Sequence, residues 1–324
     1  MKAVRCRELG PPEKLVVEEV DDPIPGPGQL KLRVASAGIN FPDTLQIAGR
    51  YQAQRPLPFI PGGEVAGTVI ALGEGVTNRK VGDRVMAFVP GGGYAEQAVA
   101  VAERTLPVPP GLDLQAAGGF PLVYGTVLHA LTQRGHLAAD ETLLVLGASG
   151  GVGLASVQIG KLLGARVIAA ASTAEKRTLC LEHGADEVID YATLSLKDEV
   201  KRLTNKHGVD VIFDPVGDRY ARDCLSCLAW RGRWLIIGFA GGEIPQIPAN
   251  LLLLKGAAAV GVFWGSFTQH EPQANAENFD RLFHWIEEGM LKPVVSRHYA
   301  LDQAPQALRD MMERRVTGKI VLTP

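Results

Sequence analysis

Hydrophobic and polar positions change rhythm once along the chain, near Val123. Before it, short β-rich runs (Leu15–Val20, Gln29–Ala37, Gly63–Leu72, Arg84–Phe88 and Ala95–Val101) are separated by turn signals such as Pro25-Gly26-Pro27-Gly28 and Pro90-Gly91-Gly92-Gly93. Short strands with frequent turns predict a compact, mostly β domain. After Val123, apolar runs alternate with amphipathic ones. Leu143–Leu146 is continuously apolar, as in a strand buried on both faces. Val152, Ala155, Ile159 and Leu162 then share one helical face, and Gly164 supplies a stop. The strand Arg166–Ala171, a helix Ala174–His183, the strand Val209–Asp214, a helix Arg219–Ala229 and the strand Arg233–Gly238 follow. The apolar run Ala257–Phe263 is read as the sixth strand, at the sheet edge. This alternation predicts an α/β domain with a doubly wound parallel sheet. The tail returns to helix and strand at Phe279–Glu288, Ala304–Glu313 and Lys319–Leu322.

The turn between the first buried strand and its helix reads Gly147-Ala148-Ser149-Gly150-Gly151-Val152-Gly153. A tight turn needs glycine, a pyrophosphate needs backbone amides without a Cβ in the way, and a helix start favours negative charge. A glycine pattern at a strand-to-helix turn inside a βαβ unit therefore reads as a dinucleotide cradle, with Ser149 available to a phosphate. The next strand ends at Ser172-Thr173 without the Asp or Glu that would hold a ribose 2′-hydroxyl. It offers hydroxyls and Lys176, with Arg177 beside it, which suits a 2′-phosphate and hence NADPH. Glu175 points the other way, and Lys176 also reads as an ordinary solvated helix charge.

At 324 residues, with 46% hydrophobic and 21% charged residues, the chain has the balance of a two-domain globular enzyme. A net charge of -2 gives no electrostatic reason to expect nucleic acid or an anionic membrane. The longest apolar stretch, Leu251–Trp264, is broken by Lys255 and is too short to span a bilayer. Met1–Gly10 has no apolar core of a secretory signal, so the expected location is the cytoplasm. Cys6, Cys180, Cys224 and Cys227 are too few for a disulfide framework, and the Cys224–Cys227 pair reads as buried helix residues rather than half a zinc site.

Further segments carry a family resemblance. Ala37-Gly38-Ile39-Asn40 with Asp43, Pro61-Gly62-Gly63-Glu64-Val65-Ala66-Gly67, Val81-Gly82-Asp83-Arg84-Val85, Gly92-Gly93-Tyr94-Ala95-Glu96, Thr126, Gly238-Phe239, Val262-Phe263-Trp264-Gly265 and Thr317-Gly318-Lys319 join the glycine turn. Together they resemble the medium-chain dehydrogenase/reductase superfamily, and within it the ζ-crystallin-like quinone oxidoreductases. The resemblance implies a GroES-like, mostly β catalytic domain over 1–124 with 266–324 returning to it. A Rossmann domain over 125–265 is inserted between, and a cleft between the domains holds nicotinamide and substrate. It also implies roles residue by residue. Asn40 and Thr126 approach the nicotinamide, and Asn40 counts as catalytic. Ser149, Gly150, Gly151 and Val152 cradle the pyrophosphate. Ser172, Lys176 and Tyr191 surround the adenosine ribose and its phosphate. Gly217, Gly238, Phe239, Phe263 and Trp264 line the cofactor cleft, and Arg314 reaches it from the C-terminal segment.

Zinc-dependent relatives place Cys near the Asn40 position and His before the Glu64 position, where this chain has Gly63. Without those ligands the expected chemistry is metal-free reduction of an electrophilic quinone, or alternatively of an α,β-unsaturated carbonyl such as an acyl thioester or haloacrylate. Tyr51, in the Gly49-Arg50-Tyr51 loop, is the candidate hydroxyl for the accompanying proton; its other reading is packing against the cofactor or loop. Asp43 and Glu64 read as structural hydrogen-bonding residues. Some relatives serve as lens structural proteins or bind RNA, but the complete phosphate turn and the acidic balance argue for an enzyme. The apolar edge strand, unprotected by charge or proline, predicts a homodimer.

Overall fold

The computed structural model describes residues 1–89 and 91–324; Pro90, which opens one of the turn signals above, lies outside the described residues. The chain divides into two compact units, Met1–Leu122 with Lys292–Pro324, and Val123–Leu291. The boundary drawn at 265/266 therefore falls at 291/292. The helices Trp264–His270 and Pro272–Glu287 stay with the second unit because their side chains are anchored there. Phe267 stacks on His129 at 3.8 Å, Trp264 lies against Gly125, and Asn278 and Gln133 exchange two amide hydrogen bonds of 2.9 and 3.1 Å.

The first unit is a mostly antiparallel sheet. Gln29–Gly38 pairs with Glu64–Leu72, Gln97–Val101 and the C-terminal strand Lys319–Thr323. Arg84–Phe88 and Thr105–Pro107 extend the sheet on one side, and Val295–Ala300 extends it in parallel beside Lys319–Thr323. Alternating burial along Gln29–Val34 puts Leu30, Leu32 and Val34 into a core with Val65, Val69, Val85, Ile320 and Leu322. The pairing of Val321 with Gly38 brings the last strand beside the segment that runs into Asn40. The strands Lys2–Arg5, Thr105–Pro107 and Val295–Ala300 are too short, or too polar, to stand out as patterns.

The second unit is a six-stranded parallel sheet. Its order is Glu187–Asp190, Arg166–Ala171, Thr142–Leu146, Val209–Asp214, Leu228–Ile236 and Ala258–Gly261. That is the doubly wound order, and it reverses direction between Thr142–Leu146 and Val209–Asp214. The central strands are buried on both faces. Three expectations change. The helix read as Arg219–Ala229 ends at Cys227, and the next strand begins at Leu228 instead of Arg233. The apolar run Ala257–Phe263 contributes strand only at Ala258–Gly261, and Trp264 opens a helix. The preceding helix, Ala249–Lys255, ends at Gly256 in the left-handed conformation, and Lys255 at its last position donates to the carbonyls of Leu225, Ser226 and Leu228. All four cysteines are free and buried, and no group of three or more metal-binding side chains occurs among the described residues.

Candidate functional site

In the second unit the predicted cofactor residues gather where parallel strands end. Gly147 leaves the strand Thr142–Leu146 with φ +56°, a conformation that disfavours a side chain. A Cβ on Gly153 would fall on the Gly147 carbonyl oxygen and 2.7 Å from the Ala148 Cα, so the helix Gly151–Leu162 starts pressed against the turn. Gly150 precedes that helix in extended conformation and offers no side-chain cap. The amides at the helix start are thus left to an anion. Ser149 is nearly buried, and its hydroxyl makes no hydrogen bond among the described residues. Val152 lies in the first turn, its carbonyl accepting from the Ser156 hydroxyl at 2.7 Å. The next helix, Ala174–Glu182, is capped by its own Thr173, whose Oγ1 accepts from the Lys176 amide at 3.3 Å. Of these two helices the one behind the glycine turn is left uncapped, and its start fits a pyrophosphate.

Ser172, Lys176 and Tyr191 lie at the ends of the two outer strands on this side. The counter-signal of Glu175 resolves locally: its carboxyl is held low by its own amide and by the Thr173 hydroxyl, as a helix-start acid should be. Arg177 is paired with Asp190 at 2.9 Å. Tyr191 stacks on Tyr220 at 4.8 Å, and the Arg219 guanidinium covers the Tyr220 ring at 4.9 Å.

Beside the reversal point, Asp214 organises the opposite turn, a role its sequence position did not announce. Its Oδ1 accepts from the amides of Val216 and Gly217 at 2.8 and 2.9 Å, and its Oδ2 accepts from the Trp234 indole at 3.0 Å. Burial pushes the carboxyl up against those bonds. Gly217 turns at φ +64°, with the Phe239 ring 2.9 Å from where a Cβ would sit, and Gly238 follows in the same contact. Thr126 is buried on the helix Pro121–His129. Phe263 is exposed, whereas Trp264 is buried and donates its indole N–H to Asn275 at 3.0 Å, which commits it to packing.

The first unit carries a buried polar cluster around Asn40. Lys319 Nζ pairs with Glu64 at 2.8 Å, donates to the Ile39 carbonyl at 2.9 Å and also donates to Asn40 Oδ1. Asn40 Nδ2 donates to Glu64 Oε1 at 2.9 Å, and the Leu122 amide donates to Glu64 Oε2 at 2.8 Å. Asp43 accepts from the Asn40 amide at 2.8 Å and the Tyr94 hydroxyl at 2.7 Å. Glu64 and Tyr94 are fully buried, and Asp43 is 2% exposed. Burial raises Asp43 from the usual 3.8 to about 6, against the pull of Tyr94, Asn40 and Lys319, and it raises Tyr94 well above the ordinary tyrosine range. Asp43 and Glu64 are hydrogen-bonding residues, as expected. Lys319 was part of a motif but carried no expected role, because its partners lie some 280 residues away. Tyr51 is half-buried; desolvation first, then Asp43, raises its hydroxyl pKa. Arg314 follows the helix Ala304–Met312 with φ +59° and is exposed.

Comparison with known proteins is consistent with both halves. Residues 151–281 match the family described as zinc-binding dehydrogenase, and residues 26–110 match the alcohol dehydrogenase GroES-like domain. The quinone oxidoreductase-like protein 2 homolog of Nematostella vectensis is 41% identical, over 99% of this chain and 88% of its own length. The quinone oxidoreductase of Pseudomonas aeruginosa is 36% identical, over 100% of this chain and 99% of its own. Among solved structures, Escherichia coli quinone oxidoreductase complexed with NADPH superposes with a TM-score of 0.93 at 28% identity, covering the whole of both chains.

Proposed function

The chain belongs to the zinc-free, quinone oxidoreductase-like members of the medium-chain dehydrogenase/reductase superfamily, and from that premise we propose that it reduces quinones with NADPH. The uncapped helix start behind Gly147–Gly153, together with a following strand that runs out into Ser172 and Thr173 without an acid and with Lys176 in the first turn of the next helix, is the observation that carries this reading. Bound NADPH supplies a hydride, and the quinone gains that hydride and one proton to become a hydroquinone. Ser149, Gly150, Gly151 and Val152 hold the pyrophosphate. Ser172, Lys176 and Tyr191 hold the adenosine phosphate, and Gly217, Gly238 and Phe239 bound the opposite turn. Asn40, locked by Lys319 and Glu64, offers a fixed amide, and Thr126 offers a hydroxyl toward the nicotinamide. Tyr51, a neutral phenol at pH 7 like any tyrosine, donates a hydrogen bond to the acceptor oxygen. Buried free thiols suit the reducing cytoplasm.

NADPH oxidation followed with 1,4-naphthoquinone beside crotonyl-CoA and simple enones tests the reading. Turnover of the quinone supports it, and turnover of only the thioester moves the chain to the enoyl reductases.

A homodimer through the second unit's sheet edge is part of the same proposal. Among the described residues the strand Ala258–Gly261 pairs only with Leu228–Ile236, and Trp230, Leu253, Leu254 and Phe263 expose large apolar side chains around it. An unpaired edge with an apolar surround is commonly closed by two-fold pairing with a second copy. Sedimentation at micromolar concentration should give about twice the 34.6 kDa chain mass, falling to a single chain on Val260→Pro.

A further inference from the structure

The loop between the helix Phe41–Ile47 and the strand Glu64–Leu72 carries both Tyr51 and Arg55. The Arg55 guanidinium lies against Gly91: a Cβ there would fall on its Nη1, and Gly91 adopts φ +138°. The side chain is half-buried, yet it makes no hydrogen bond and no ion pair among the described residues. Its electrostatic neighbour is Asp43, the same carboxyl that Tyr51 senses. No ion pair joins the two among the described residues; Asp43 Oδ2 accepts instead from the Tyr94 hydroxyl and the Asn40 amide. Desolvation lowers the Arg55 pKa, with Asp43 opposing. Five N–H donors on a partly dehydrated cation thus stand on the same loop as the proposed proton donor, with no acceptor among the described residues.

We propose that Arg55 binds an anionic group on the acceptor, so that the preferred substrates are quinones carrying a carboxylate or sulfonate beside the reducible ring. The planar fork suits two oxygens of such a group, and partial dehydration strengthens the charge-assisted bonds. This rests on the reading of the chain as a reductase of electrophilic carbonyls. It adds the charge of the substrate, which neither the cofactor turn nor the Asn40 cluster specifies.

The test compares 1,2-naphthoquinone-4-sulfonate with 1,2-naphthoquinone at saturating NADPH. Arg55→Met should lower the ratio of their kcat/KM values about tenfold, the effect of one lost charge-assisted bond. Arg55→Lys should restore part of that ratio, and Arg50→Met, five residues earlier in the same loop and exposed, should not lower it. A ratio within twofold of the parent in Arg55→Met, or an equal fall in Arg50→Met, overturns the proposal. Should neither quinone be reduced, the quinone reading fails on its own. Calorimetry of the sulfonate with the NADP+-loaded protein then decides Arg55: about tenfold weaker binding in Arg55→Met supports it, and equal binding overturns it.

Discussion

Around Gly147–Gly153 the polar groups offered to a ligand are backbone amides, exposed because glycine removes every Cβ that would cover them. Around Asn40 they are side chains, buried and already satisfied by one another. The first arrangement is local: seven consecutive residues build it. The second draws on partners 24, 51 and 279 positions apart, from the start of the helix Phe41–Ile47, the strands Glu64–Leu72 and Lys319–Thr323 and the turn at Tyr94. A site made of backbone tolerates change in its surroundings but not in its glycines. A site made of buried charges tolerates neither, since each group is the others' only solvent.

Three measurements can break or sharpen that contrast. The largest effect is expected at Lys319. Lys319→Met leaves Glu64 buried without its cation, and urea unfolding should show a loss of about 3–5 kcal/mol, the usual cost of half a buried pair. Adding Glu64→Gln to Lys319→Met should recover much of it. A single variant as stable as the parent would mean the cluster is not the closed network described.

Next is Asp43. Its folded-state pKa is raised, so the folded chain keeps a proton that the unfolded chain releases. Its contribution to stability is therefore greatest below 3.8, falls as pH rises toward about 6 and is flat above that, a total of about 3 kcal/mol. Asp43→Asn should flatten this stretch of the stability profile, whereas the cofactor turn, with no such group, contributes no slope there.

The smallest effect is expected at Lys176. Lys176→Ala should raise the NADPH KM by an amount worth about 1.5–3 kcal/mol and leave NADH nearly unaffected, because only the 2′-phosphate is lost as a partner. Equal losses with both dinucleotides would detach Lys176 from the phosphate.

Legibility followed the same division. The parallel strands Arg166–Ala171 and Val209–Asp214 and the glycine turn were readable because continuous apolar runs and glycine spacing are properties of neighbouring residues. At the edge strand only the bounds differed: the apolar run Ala257–Phe263 is strand at Ala258–Gly261, because Gly256 closes the preceding helix in the left-handed conformation and Trp264 opens the next. The strand Glu187–Asp190, only four residues long, gave no periodic signal of its own.

By itself the sequence determined that this is a two-unit α/β protein, with a dinucleotide turn between its first buried strand and helix and without the thiol and imidazole ligands of a zinc site. Only the tertiary structure decided that Lys319 neutralises Glu64 and fixes Asn40, that Asp214 holds the turn at Gly217, that Arg55 makes no hydrogen bond or ion pair among the described residues, and that the helices after Gly265 stay with the second unit. The reason is physical. Hydrophobic period and backbone conformation are written in adjacent residues, whereas the energy of a buried charge depends on what the fold places within a few ångströms of it, however distant in the chain.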